Sequence, residues 1–140
     1  MNFEIPFYLM KVMKSGELQR DVGSWQLKNT NDSYGNHLET ELGQLCRNIG
    51  EIELFTKDLP LGFVADGYYG ELGLSGYPGE IEDITDFSKI ICFGYSSDGA
   101  PFCFDYRESG EPKVIWWDDI YWRVVSLNFK SFIALFEVSS

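Results

Sequence analysis

Two carboxylates can cleave a glycosidic bond when one gives a proton and the other takes one or attacks, at separations of about 5–10 Å. Asp105 and Asp118 are the pair in this sequence that could do so, because a meander of short strands would put them at strand ends one turn apart. The plainer reading is that Asp105 bonds backbone amides, or pairs with Arg107 or Arg123 at the end of a sheet. His37 is the only histidine, so any Ser-His-Asp or Cys-His site would have to use it. It sits in a turn-rich stretch or at a helix start, where a solvated imidazole is ordinary. Gly73-Leu74-Ser75-Gly76 lacks the strand-to-helix switch of a nucleophile elbow. Gly70 to Gly79 lacks the Lys-Ser/Thr ending of a phosphate loop. Asp98 and Gly99 have hairpin spacing and lack the acid spacing of a calcium loop. The three cysteines, Cys46, Cys92 and Cys103, show no C-x-x-C spacing and make neither a disulfide framework nor a zinc site. Cys92 and Cys103 can face each other across a hairpin, which makes a bridge conceivable; free buried thiols are the plainer state. The expectation is a chain with no catalytic residue, no metal site and no cofactor.

The remaining chemistry is charge. The 140 residues hold 22 acids against 11 bases, a formal net charge of -11. Residues 1–50 carry a net of -1, and residues 51–140, with 16 acids and six bases, carry -10. Phosphate binding needs clustered Lys and Arg, so nucleic acid is excluded as a direct ligand, and anionic membrane surfaces with it. Ordinary solubility would account for an acidic surface. So would the attraction of a basic partner, which raises association rates.

Two groups of residues suit such a partner. Glu80, Glu82, Asp83 and Asp86 form an acidic stretch before the first strong strand. Asp118 and Asp119 lie within the densest aromatic cluster, Trp116, Trp117, Tyr121 and Trp122. On a strand Trp116 and Trp117 point to opposite faces, so one belongs to the core. The other is either an exposed interface residue, as Trp often is at hot spots, or covered by a terminal helix. Candidate partner-binding residues are therefore Glu80, Glu82, Asp83, Asp86, Trp116, Asp118, Asp119 and Tyr121.

The elements that must position these residues follow from pattern. With 44% apolar and 16% aromatic residues the chain can build one core, and its length fits one domain over residues 1–140. No apolar run reaches the ~18 residues of a membrane span. The charge order near Met1 is opposite to that of a secretory signal, so a cytoplasmic location is expected. Pro6 to Ser15 reads as a helix stopped by Gly16, and residues 21–36 as a turn-rich stretch around Trp25. Residues 37–47 read as a second short helix with Leu38, Leu42 and Leu45 on one face, although Gly43 weakens it. Glu51 to Phe55 alternates polar and apolar like a strand. Leu59 to Glu80 has too many Gly and Pro for a long element. Lys89–Tyr95 and Pro101–Tyr106 read as a hairpin around Asp98-Gly99. Lys113–Trp117 and Tyr121–Val125 continue the meander. Asn128 caps a last helix carrying Phe129, Phe132, Ile133 and Phe136.

The C-terminal half also resembles a known family. The pieces are Ile91-Cys92-Phe93-Gly94-Tyr95, Ser97-Asp98-Gly99, Phe104-Asp105-Tyr106-Arg107, Glu111-Pro112-Lys113-Val114-Ile115, Trp117-Asp118, Trp122 and Asn128 to Phe132. In this order they resemble the SUKH superfamily, the Smi/Knr-type domain of fungal cell-wall regulators and many bacterial immunity proteins. The match is good over about residues 90–136 and weaker before them. The family-motif residues are Gly94, Asp98, Gly99, Asp105, Pro112, Trp117, Trp122, Phe129 and Phe132, with mainly structural roles. The resemblance implies an α+β fold, a meandering antiparallel sheet flanked by N-terminal and C-terminal helices. It also implies a non-catalytic binding protein, a monomer or weak homodimer. Foremost among such roles is an immunity protein that neutralises a basic bacterial toxin, of nuclease type, through its acidic surface. A regulatory scaffold is the alternative, and a carboxylate hydrolase the remote one.

Overall fold

A computed structural model describes residues 5, 6, 9, 10, 25–27, 41–46, 48–59, 81, 84, 86–96, 98–108, 110–118 and 121–138. The strands are β1 (Trp25–Leu27), β2 (Glu41–Leu45), β3 (Ile90–Ser96), β4 (Pro101–Asp105), β5 (Lys113–Asp118), β6 (Tyr121–Ser126) and β7 (Phe136–Val138). Helix α1 (Ile49–Lys57) follows β2, and α2 (Phe129–Ile133) lies between β6 and β7. The sheet runs β6-β5-β4-β3-β2-β1-β7 and every pairing is antiparallel. The fold is α+β; the meander inferred from the sequence is present from β3 to β6, and β2 and β1 extend it.

The apolar runs of β3 and β4 make them the centre of the sheet. Nearly every residue of both strands is buried, which requires cover on both faces. Register puts Phe102 opposite Trp116 and Phe104 opposite Val114 on one face. Helix α2 covers that face: Phe129 and Phe132 meet Phe93 edge-on at 5.4 and 5.5 Å. On the other face Tyr95 packs edge-on against Phe55 of α1 at 5.0 Å. The Thr56 hydroxyl of α1 accepts a hydrogen bond from the Cys92 amide at 3.0 Å.

Turn chemistry fixes the hairpins. Gly99 has φ +88, and the Ser96 hydroxyl bonds both the Ala100 amide and the Asp98 carboxylate. Gly110, at φ +94, serves the turn before β5. Asn128 caps α2 as expected, its side chain accepting from the Ser131 amide at 2.8 Å. Asn128→Ala should cost about 1 kcal/mol, because the cap orients the helix that carries Phe129 and Phe132. A shift in denaturant midpoint that Asn128→Ser largely restores is the check.

Four local readings are corrected. Residues 41–45 are strand β2, not part of a helix. A bulge between Leu42 and Gln44 is the reason: Leu42 and Leu45 pair with Ser96 and Gly94, which are two apart. The bulge thereby turns a helix-like spacing of three into the strand period. Residues 51–55 are helical, not extended, because Asn48 caps α1 by accepting from the Glu51 amide at 2.9 Å. Ile52 and Leu59 are buried on this helix and its continuation, whereas Leu54, which strand alternation would bury, is 51% exposed. Phe136 belongs to β7 and pairs with Leu27; α2 stops at Ile133, where the Ala134 and Leu135 amides close the last turn. The last element is therefore a strand that returns to the sheet beside β1. Trp25, expected within turns, begins β1. The Met10 amide bonds the Pro6 carbonyl at 3.1 Å, as in a helix begun by Pro6. The rest of that segment, His37 and residues 60–80 lie outside the described residues.

Candidate functional site

Asp105 and Asp118 do not form a catalytic pair. Asp105 is paired with Lys113 at the start of β5, and Asp118 ends the same strand. Five strand steps hold their backbones roughly 16 Å apart. Expecting them one turn apart placed them at the same end of the meander; an antiparallel strand carries them to opposite ends. Asp105 instead accepts three hydrogen bonds from Arg107, from the backbone amide at 3.0 Å, Nε at 2.9 Å and Nη2 at 2.8 Å. This is the structural role the sequence favoured. Asp105→Asn should keep the fold and cost about 1–2 kcal/mol, the loss of charge-assisted bonds at a partly exposed site. Chemical denaturation read against Arg107→Ala measures it. If the two losses add in the double variant, the pairing is not the cause.

Trp116 and Trp117 are both buried, at 5% and 9% exposure. Trp116 as an exposed contact residue is thus corrected. Its ring stacks on Phe102 at 5.8 Å, and the Arg123 guanidinium lies over it at 5.8 Å. On the opposite face Trp117 meets Trp122 edge-on at 5.5 Å, and Trp122 meets Phe87 at 6.2 Å.

This aromatic run links the neighbourhoods of Asp86 and Asp118. Phe87 follows Asp86, and Trp117 and Trp122 adjoin Asp118 and Tyr121, which pair with each other in register. Backbone placement therefore sets Asp86 and Asp118 beside one buried cluster. Asp86 is exposed, and hydrogen bonds from Ser88 hold its carboxyl below the usual carboxylate range. It is fully ionised at neutral pH. Glu80, Glu82, Asp83 and Asp119 lie outside the described residues, as do the side chains of Asp118 and Tyr121.

Among the described residues no acidic side chain is buried. The bases of residues 51–140 are partly withdrawn: Arg123 is buried, and Arg107 and Lys113 are held by Asp105 and Glu108 at 2.8 and 3.3 Å. Burial of Arg123 withdraws one positive charge from the surface, whereas each ion pair neutralises one acid together with one base. Sequence reasoning missed a cleft of about 100 Å³ lined by Ile81, Asp105, Arg107, Glu111, Lys113 and Val124, beside Glu108. The D-x-R spacing of Asp105 and Arg107 was its one visible signal. The motif residues have structural positions: Gly94, Pro112, Trp122, Phe129 and Phe132 are buried, while Asp98 and Gly99 form the β3–β4 turn. Among the described residues no cluster of His, Cys, Asp and Glu could hold a metal, and no helix is long and apolar enough to cross a membrane.

The model of the SMI1 / KNR4 family (SUKH-1) matches residues 21–135. No curated protein and no solved structure matches the chain.

Proposed function

The chain belongs to the SMI1 / KNR4 family (SUKH-1), and from that premise we propose that it is an immunity protein that neutralises a basic bacterial toxin domain of nuclease type. Family membership supports a role in binding other proteins, and favours binding over catalysis. The observation that carries the finer reading is the acidic excess of residues 51–140, 16 acids against six bases, of which Arg123 is buried and Arg107 and Lys113 are ion-paired. Such a surface occupies the cationic groove with which a nuclease holds phosphates, and long-range attraction speeds the encounter. The contact lies on the acidic stretches of residues 80–86 and 118–121, with the Phe87–Trp122–Trp117 run as their rigid support. Binding there is one-to-one and blocks the nuclease sterically.

Co-expression with a basic toxin nuclease domain, sought first in the neighbouring genes, is the test. The native chain should restore growth of the poisoned host. The variant with Asp83, Asp86, Asp118 and Asp119 all changed to Asn should bind at least about tenfold more slowly, since charge steering sets the on-rate. Full protection and an unchanged rate with that variant would remove the acidic contact from the account.

A further inference from the structure

Cys92 and Cys103 face each other directly across the β3–β4 hairpin. The kind of pair they make can be read from two independent hydrogen bonds. The Cys92 amide points away from β4, to the Thr56 hydroxyl at 3.0 Å. At the hairpin base the Tyr106 amide donates to the Lys89 carbonyl at 2.9 Å, which marks a hydrogen-bonded pair. Antiparallel ladders alternate, so the pair three steps on, Cys92 with Cys103, is a non-hydrogen-bonded one. Such pairs bring Cα atoms to about 4.5 Å with the side chains close together. That lies within the range of about 4.4–6.8 Å in which a disulfide closes without moving the backbone. The Cys92 thiol donates to the Gly94 carbonyl at 3.3 Å. Cys46 follows the end of β2, and its thiol reaches the Cys92 carbonyl at 3.9 Å. It sits beside the pair and not across from it.

We propose that Cys92 and Cys103 are a preset dithiol, a modification site that a small hydroperoxide oxidises to a cross-strand disulfide within the intact fold. One thiol loses its proton and attacks the peroxide oxygen, giving a sulfenic acid and one water. The second thiolate attacks that sulfur, the S–S bond forms and a second water leaves. Two thiols thus lose two electrons and two protons to one hydrogen peroxide. Both residues are fully buried, and burial raises the Cys103 and Cys46 thiols well above their ordinary range. Reaction therefore waits on brief opening of the hairpin and is slow. The proposal stands apart from the choice of protein partner.

The test is dilute hydrogen peroxide on the native full chain, followed by alkylation of remaining thiols and peptide mapping by mass spectrometry. The expected product has lost two hydrogens, joins the Cys92 and Cys103 peptides, and leaves Cys46 alkylated. Its far-UV and near-UV circular dichroism match those of the reduced chain. Cys46→Ser should give the same bridge. A bridge that uses Cys46, oxidation of the thiols to sulfinic acid without any bridge, or loss of the near-UV signal on bridging would each overturn it. So would retention of three alkylatable thiols after peroxide has oxidised the urea-unfolded chain under matched exposure.

Discussion

Phe93→Ala is expected to remove about 3–5 kcal/mol of folding stability, a large share of what a small domain has. Phe93 is the extra residue of a bulge: register runs Cys92 with Cys103, then Gly94 with Phe102. The bulge aims its ring between β4 and α2. There it stacks on Phe104 at 4.3 Å and lies 6.5 Å from Phe102. Edge-on contacts to Phe129 and Phe132 complete the group. Alanine would leave a cavity bounded by four rings, all on well-paired strands or the capped helix, so collapse is limited. Phe93→Leu, which fills most of the volume, should cost markedly less. Guanidinium unfolding of both variants decides it: a loss below about 1 kcal/mol for Phe93→Ala would show that the site repacks and that this cluster is not the keystone of the core.

Gly94→Ala should be the second most damaging single change, at about 1–3 kcal/mol or more. A Cβ built on Gly94 would lie 2.5 Å from the Gln44 carbonyl oxygen and 3.5 Å from the Leu45 Cα. The obstacle is backbone of β2, which pairs with β3 beside a register shift between Leu42 and Gln44. No side-chain rotation relieves it, so one strand must move. Gly99 supplies the contrast. Nothing lies within 4 Å of its would-be Cβ, yet its φ is +88. Gly99→Ala therefore pays only the conformational cost, about 1–2 kcal/mol. Gly99→Asn should recover part of that cost, because Asn tolerates the left-handed region; Gly94→Asn should be worse than Gly94→Ala. Thermal melts of the four variants separate the two mechanisms. Equal losses at both glycines, or recovery by Asn at Gly94, would contradict the close approach of β2.

The difference between these glycines also shows what can be read from sequence. Gly99 follows Asp98 between two apolar runs, a local signal, and the hairpin is where that signal says. The β3–β6 meander and the Asn128 cap are legible for the same reason: each is bounded by its own turn residues. The segment 41–57 is not. Its spacing of three is a bulged strand, and its alternation of two falls in a helix that buries Ile52 and exposes Leu54. Only the pairing of Leu42 and Leu45 with β3 and the Asn48 cap decide between them. The site divides in the same way. Acidity is visible as composition. The link between Asp86 and the β5–β6 hairpin end depends on Phe87 reaching Trp122, a contact between distant parts of the chain. Burial of Trp116 depends likewise on Phe102 and Arg123 from neighbouring strands. The separation of Asp105 from Asp118 needed only the direction of β5, and that was available from the hairpin order.

The central claim is that acidic residues supported by the Phe87–Trp122–Trp117 run bind a basic toxin domain. Its most direct test is the affinity of the purified chain for that nuclease domain, measured by calorimetry from about 50 to about 500 mM salt. The native chain should bind one-to-one, with affinity falling steeply as salt rises. Changing Asp83, Asp86, Asp118 and Asp119 to Asn should weaken binding at least about tenfold at low salt and flatten the salt dependence. Native-like affinity and an unchanged salt slope in that variant, with its fold intact by circular dichroism, would contradict the account.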